Sequence, residues 1–338
     1  MKTILLILAG VAATMAFPAT GAGQAQPFER LPPERLDARS PSALVEGRPG
    51  RMRVRSTACR NLPAARTRRR IVDVAAQEWG FFGFSIVDYT VDAPRGARRY
   101  RWWRRRVDPR EGARTASTIA GYWAATPRGT WMIDRQNGRW NGSDGIAARW
   151  RDPWSAAFVS WVMCEGGLGS GDRFQRSIAH HVYVDQAIRA RDADSPPAAF
   201  TAYDVGATEV EPGDLLCSSR RRSYTSIAQR RRHLGVGARM HCDIVVKVEP
   251  GRDRILAIGG NVRGTVSLKL LPAVSRGGHL VPTRSLFAHL KLRADPIEDD
   301  ALDQSPTLEA VRSTDGVEPP AQLGAPATST PGSNPLRR

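Results

Sequence analysis

Residues 153–163 read Pro-Trp-Ser-Ala-Ala-Phe-Val-Ser-Trp-Val-Met and constrain the fold more than any other stretch. The run is apolar on nearly every side at helical spacing, so it predicts a central helix that protein must surround. Pro153 suits the start of such a helix, where a fixed φ is already required. Gly166-Gly167 close it. Trp154, Phe158 and Trp161 stand four and three residues apart and read as core rather than as platforms for sugar.

Three amphipathic helices are expected around it. Arg66–Gly80 carries Ile71, Val74, Ala75 and Trp79 on one face, and Glu111–Ala125 carries Ile119, Tyr122 and Trp123. Phe174–Arg191 brings His180 and His181, which diverge by about 100° on a helix and so cannot both point inward. The Gly/Asn/Asp-rich stretch 137–145 reads as loop.

The period changes at 213. Residues 213–218, 242–248, 254–260 and 265–271 read as strands, and Pro250-Gly251-Arg252-Asp253 turns the middle two into a hairpin. Helices first and an antiparallel sheet after them predict an α+β fold. Between the first two strands, Ser219–Arg239 reads as a basic loop carrying Arg220-Arg221-Arg222 and Arg230-Arg231-Arg232.

The ends read differently. Lys2 followed by the apolar stretch Ile4–Phe17 predicts a secretion signal over 1–25, with periplasmic or secreted destination and no stable membrane span after cleavage. Residues 26–65 and the Pro/acidic tail 295–338 hold few large apolar residues and are expected to be disordered. That leaves 66–294 as one domain.

The net charge of +17 rests almost wholly on arginine, and lysine occurs only at 2, 247, 269 and 291. Such a basic body favours polyanions. Export argues for anionic envelope polymers as partners and against nucleic acid. The segment Arg98–Arg106, with Tyr100, Trp102 and Trp103 among its cations, fits contact with a polyanion or an edge strand whose arginine stems cover the indole rings. Four cysteines are few for a disulfide scaffold. Cys217 and Cys242 can bridge if their strands pair antiparallel, and Cys164 reads as a buried thiol. Nothing suggests a nucleotide loop, haem motif, metal site or other cofactor.

Ser155 falls in the first turn of the central helix, where free amides and the helix dipole stabilise developing negative charge. A serine there needs a general base, and His241 at the head of a strand is the candidate. Asn261 or Asp243 could fix its tautomer. If His241 faces the site, strand alternation turns Cys242 away and returns Asp243 to the same side. Trp154 and His180 are candidates to line the substrate cleft. Each residue has a plainer reading: Ser155 as a helix cap, His241 as a core histidine, Asn261 as a turn residue.

Pro153–Met163, Pro212-Gly213-Asp214-Leu215-Leu216, His241–Val246 and Ile258-Gly259-Gly260-Asn261-Val262 together resemble the bacterial family called domain of unknown function 2272. That family is similar to CHAP domains, the cysteine/histidine-dependent amidohydrolases of the papain-like clan, with the usual cysteine here replaced by Ser155. The resemblance covers roughly 66–290. It implies a papain-like fold with N-terminal helices on a C-terminal antiparallel sheet. Ser155 would be the nucleophile, His241 the base and Asn261 the orienting residue, acting on peptidoglycan amide bonds. The alternative is a catalytically silent papain-like module that binds cell wall or another anionic envelope partner.

Overall fold

The computed structural model describes residues 27–91, 106–193, 197–220 and 223–314, together with Pro320 and Leu323. The expected secretion signal and most of the Arg98–Arg106 segment lie outside the described residues.

The chain opens with α1 (Pro33–Leu36) and a small ladder of β1 (Val45–Glu46) and β2 (Arg53–Val54). Next come α2 (Thr67–Phe81), β3 (Ser85–Asp88), α3 (Pro109–Ala124), α4 (Gly129–Trp140), α5 (Ser155–Glu165) and α6 (His180–Asp192). The Asp108 side chain starts α3 by accepting from the Arg110 and Glu111 amides. α4 runs into the stretch expected as loop. Met132, Ile133 and Trp140 bury one side of it, and the Asn137 side chain binds both backbone groups of Met52. Tertiary contacts outweigh the weak helix propensity of Asn and Gly there.

The sheet follows: β4 (Phe200–Tyr203), β5 (Leu215–Ser219), then a short α7 (Ile227–Arg231), β6 (Met240–Glu249), β7 (Arg254–Val262), β8 (Thr265–Arg276), β9 (His279–Pro282) and β10 (Ala288–Leu292). The order is β3-β8-β7-β6-β5-β10-β4, with β9 on β8. Only the β3–β8 pair is parallel among these ladders. The fold is α+β, with a mostly antiparallel sheet.

Every residue of α5 is buried. The Tyr122 ring of α3 touches Trp154, Phe158 and Trp161 at centroid distances of 5.7, 5.5 and 5.4 Å. On β7, Gly260 lies so close to the Phe158 side chain that a Cβ there would overlap it. The three aromatics are core, and α5 sits where its pattern requires.

The packed body extends past 66–294 at both ends. Arg30 forks onto buried Glu78 at 2.6 and 2.7 Å, and Arg39 reaches buried Glu165. Leu36, Leu44 and Met52 are buried beside them. At the other end, Ser305 caps α8 (Pro306–Ser313), whose Leu308 and Val311 bury together with Ala301 and Leu302. These stretches lack apolar density. They are held instead by a few apolar anchors and by charges that meet buried acids on otherwise apolar helices.

Cys217 and Cys242 stand directly opposite in the β5–β6 register and form a disulfide. Cys164 is not a thiol: it is bonded to Cys59, which ties the N-terminal segment to the end of α5. That partner is 105 residues away in sequence, so no local spacing announces the pair.

Candidate functional site

Ser155 is the first helical residue of α5 and does not cap it, because the cap position belongs to Trp154. Its hydroxyl lies 2.7 Å from Nε2 of His180 in the first turn of α6. On the other side of that ring, Nδ1 meets the hydroxyl of Tyr183, one helical turn further along. Ser155, His180 and Tyr183 are all buried. His181 diverges to a half-buried position, as the helical period requires.

A second group stands on the sheet. His241 Nε2 lies 2.8 Å from Oδ1 of Asp243, and Lys269 Nζ is 2.8 Å from both carboxylate oxygens. Alternation accounts for this: residues 241 and 243 share one side of β6, while Cys242 turns to the other side and its disulfide. The β6–β7 ladder runs from Ile244↔Ile258 to Glu249↔Arg254, so His241 and Asp243 precede it. There Gly259 leaves room for the carboxylate, because a Cβ would overlap Asp243 and crowd His241.

The two groups meet ring to ring, with the His180 and His241 centroids 5.4 Å apart. The His241 side chain is 26% exposed, so this end of the cluster is the one open to solvent.

The charges follow from the packing. Burial opposes ionisation of Asp243, yet His241 and Lys269 outweigh it and hold the carboxyl well below the usual carboxylate range. Burial, then repulsion from His241 and Lys269, pushes the His180 imidazole well below its ordinary value although Asp243 pulls the other way. Burial, then the Asp243 charge, pushes the Tyr183 phenol well above its ordinary value. Tyr183 therefore keeps its proton and donates it to Nδ1 of neutral His180. That assignment puts the imidazole proton on Nε2, facing Ser155 Oγ.

Asn261 stands apart from this network. It occupies a left-handed turn, φ 56°, where the β7–β8 register shifts between Gly259 and Val262. Among the described residues its side chain hydrogen-bonds nothing. Asp243 holds the position beside His241. Trp154 stacks between Tyr122 and Phe82 and is 2% exposed. It frames the start of α5 from within the core.

Sequence reading missed Tyr183 and Lys269, although both left a signal. Tyr183 is three residues after His180 on one helix face. Lys269 is one of four lysines in an arginine-rich chain and interrupts the apolar strand Val266–Leu271. Each lysine among the described residues sits in a strand against carboxylates: Lys247 on Glu249 and Asp303, Lys269 on Asp243, Lys291 on Glu211.

The Pro212-Gly213-Asp214 motif has a structural role. Buried Asp214 accepts from Arg68 of α2 at 2.7 Å, from His289 at 2.8 Å and from the Leu292 amide. It thereby fastens α2 to the sheet.

A serine at a helix start, two histidines, a carboxylate and a lysine form one polar cluster on an α+β scaffold. The model of a bacterial family, an uncharacterized protein conserved in bacteria (DUF2272), matches residues 102–299, and the chain belongs to it. No curated protein and no solved structure matches the chain. Among the described residues, no helix is long and apolar enough to cross a membrane.

Proposed function

We propose that this chain is an exported envelope amidohydrolase that cleaves amide bonds in peptidoglycan peptides, with Ser155 as nucleophile. The observation that carries the reading is the Ser155–His180 hydrogen bond set against the His241–Asp243 pair. Ser155 Oγ attacks the carbonyl carbon and its proton passes to His241, whose tautomer Asp243 fixes. The oxyanion gathers at the first-turn amides of α5, which have no intrahelical acceptor. Protonated His241 then hands its proton to the leaving amine, and water releases the acyl group from Ser155. In the tautomer set by Tyr183, His180 presents Nε2–H to the serine oxygen and positions it rather than taking its proton.

Two disulfides, which consume all four cysteines, support export to an oxidising compartment. The Arg-rich body supports an anionic envelope partner.

The second reading is a catalytically silent module that binds cell-wall fragments. One observation favours it: Ser155 is only 7% exposed. Incubating the protein, beside Ser155→Ala and His241→Ala, with isolated peptidoglycan separates the two by mass spectrometry of soluble products. Products from the parent alone support the hydrolase. Binding without products from any of the three moves the assignment to the silent module.

A further inference from the structure

The segment from Ser219 to Arg239 contains seven arginines and no acidic residue. A chain excursion of one sign repels itself, so its shape needs an external clamp. Asp185 of α6 supplies the clamp. Arg230 binds it through two bonds of 2.7 Å and is fully buried, and the Gly235 amide adds a third bond at 2.8 Å. Arg231 is paired with Asp192.

The clamp fixes where the excursion lies. Its far arm runs past Ala238 beside His181 and enters β6 at Met240, one residue before His241. Its near arm leaves β5 at Arg220, whose amide donates to the Arg239 carbonyl at 2.9 Å. The two arms therefore close beside the solvent-open end of the Ser155 cluster. Arg220 and Arg239 are exposed there, and among the described residues neither pairs with a carboxylate.

We infer that Arg220 and Arg239 form an anion subsite at the mouth of the Ser155–His180–His241 cluster, one that receives the free carboxylates of a substrate peptide. The inference rests on the proposed function for the identity of the substrate. Guanidinium forks match carboxylates in bidentate geometry, and cations beside a nucleophile select acidic peptides by affinity rather than by chemistry. The subsite acts in binding, so it is measurable without turnover.

The test uses the Ser155→Ala protein and a fluorescent soluble peptidoglycan peptide, prepared with free carboxylates and with the same carboxylates amidated. Adding Arg220→Gln and Arg239→Gln is expected to weaken binding of the free-carboxylate peptide about tenfold or more. Amidation is expected to cause a similar loss and to erase the effect of the two substitutions. Equal affinity of the variant lacking both arginines for the acidic peptide, with an unchanged melting temperature, overturns the inference. So does a loss shown only for a single-stranded oligonucleotide, which would make the excursion a general polyanion surface. A parent protein that binds the acidic peptide through these arginines and never cleaves it defeats the hydrolase reading and leaves the subsite standing.

Discussion

Gly259 on β7 and Asp243 on β6 compete for one volume: a methyl group on the glycine would occupy the space of the carboxylate that holds His241. The glycine is a condition of the pairing between Asp243, His241 and Lys269, because a neighbouring strand cannot supply a side chain there.

Gly259→Ala should therefore displace the Asp243 carboxylate from His241. Overpacking of this kind costs about 1–3 kcal/mol. The expected result is a lowered melting temperature and an altered His241 imidazole signal by NMR. A variant with parental stability and an unchanged His241 spectrum would show that the carboxylate is placed by something else.

Lys269→Met removes the cation that touches both Asp243 oxygens. Stripping one partner from a buried ion pair costs about 3–5 kcal/mol, because the remaining charge stays desolvated. The depressed Asp243 carboxyl contributes stability above the unfolded value of 3.8 and loses it as pH falls through the lower folded value. Lys269→Met should raise the pH at which acid unfolding begins. Denaturant titrations of parent and variant between about pH 2 and 5 read this shift, and coincident curves count against the role assigned to Lys269.

His180 is held neutral by burial, so it too loses stability toward acid pH, over a higher window than Asp243. Above the ordinary histidine value of 6.5 both folded and unfolded chains are unprotonated at this site, and the full stability is present. Below it the unfolded chain takes up a proton that folded His180 refuses, so stability falls as pH drops. His180→Gln should flatten this slope between about pH 6.5 and 5. Tyr183→Phe should leave the slope and instead release the Nε2–H tautomer, visible in the ring nitrogen shifts. An unchanged tautomer in Tyr183→Phe would remove the phenol from the arrangement.

Asp73 on α2 has one carboxylate oxygen buried without a partner, while neighbouring Arg69 and Arg70 bind Glu298 and Asp37. Burial raises it from 3.8 to about 7, against the pull of the two arginines. A raised value means stability present below 3.8 and lost as pH rises through 7. Asp73→Asn should raise the melting temperature by several degrees at about pH 8 and change little at about pH 4. Equal effects at both pH values would mean that Asp73 does not titrate in this way.

The two disulfides should differ in worth. Cys59–Cys164 closes a separation of 105 residues and Cys217–Cys242 one of 25. Chain-entropy arguments give roughly 5 and roughly 3.5 kcal/mol. Paired Cys→Ala variants at each bridge, compared by chemical denaturation, should lose more at Cys59–Cys164. The reverse order would point to enthalpic strain or residual structure in the unfolded chain.

Much of this was legible beforehand. The all-round apolar pattern of 153–163 implied a central helix, and alternation from 242 to 271 implied the antiparallel strands beside it. The pairing of His241 with Asp243 followed from the same alternation. The bond from Ser155 to His180 was not readable, because 25 residues and a helix–helix packing angle separate them. Nor was the order of residues 27–65, whose arginines become anchors only when Glu78 and Glu165 face them.

Sequence by itself determined the central helix, the amphipathic helices α2, α3 and α6 and the strands between 213 and 271, since helical and strand periods are local properties of the backbone. It also determined that a serine would open the central helix and that a histidine and an aspartate would share one side of a strand. Only the tertiary structure decided which histidine touches Ser155, that Asp243 rather than Asn261 stands beside His241, and that Cys164 is bonded to Cys59. Those outcomes depend on how elements distant in sequence pack. In a buried, poorly solvated cluster, packing sets both the hydrogen-bond partners and the charges they can carry.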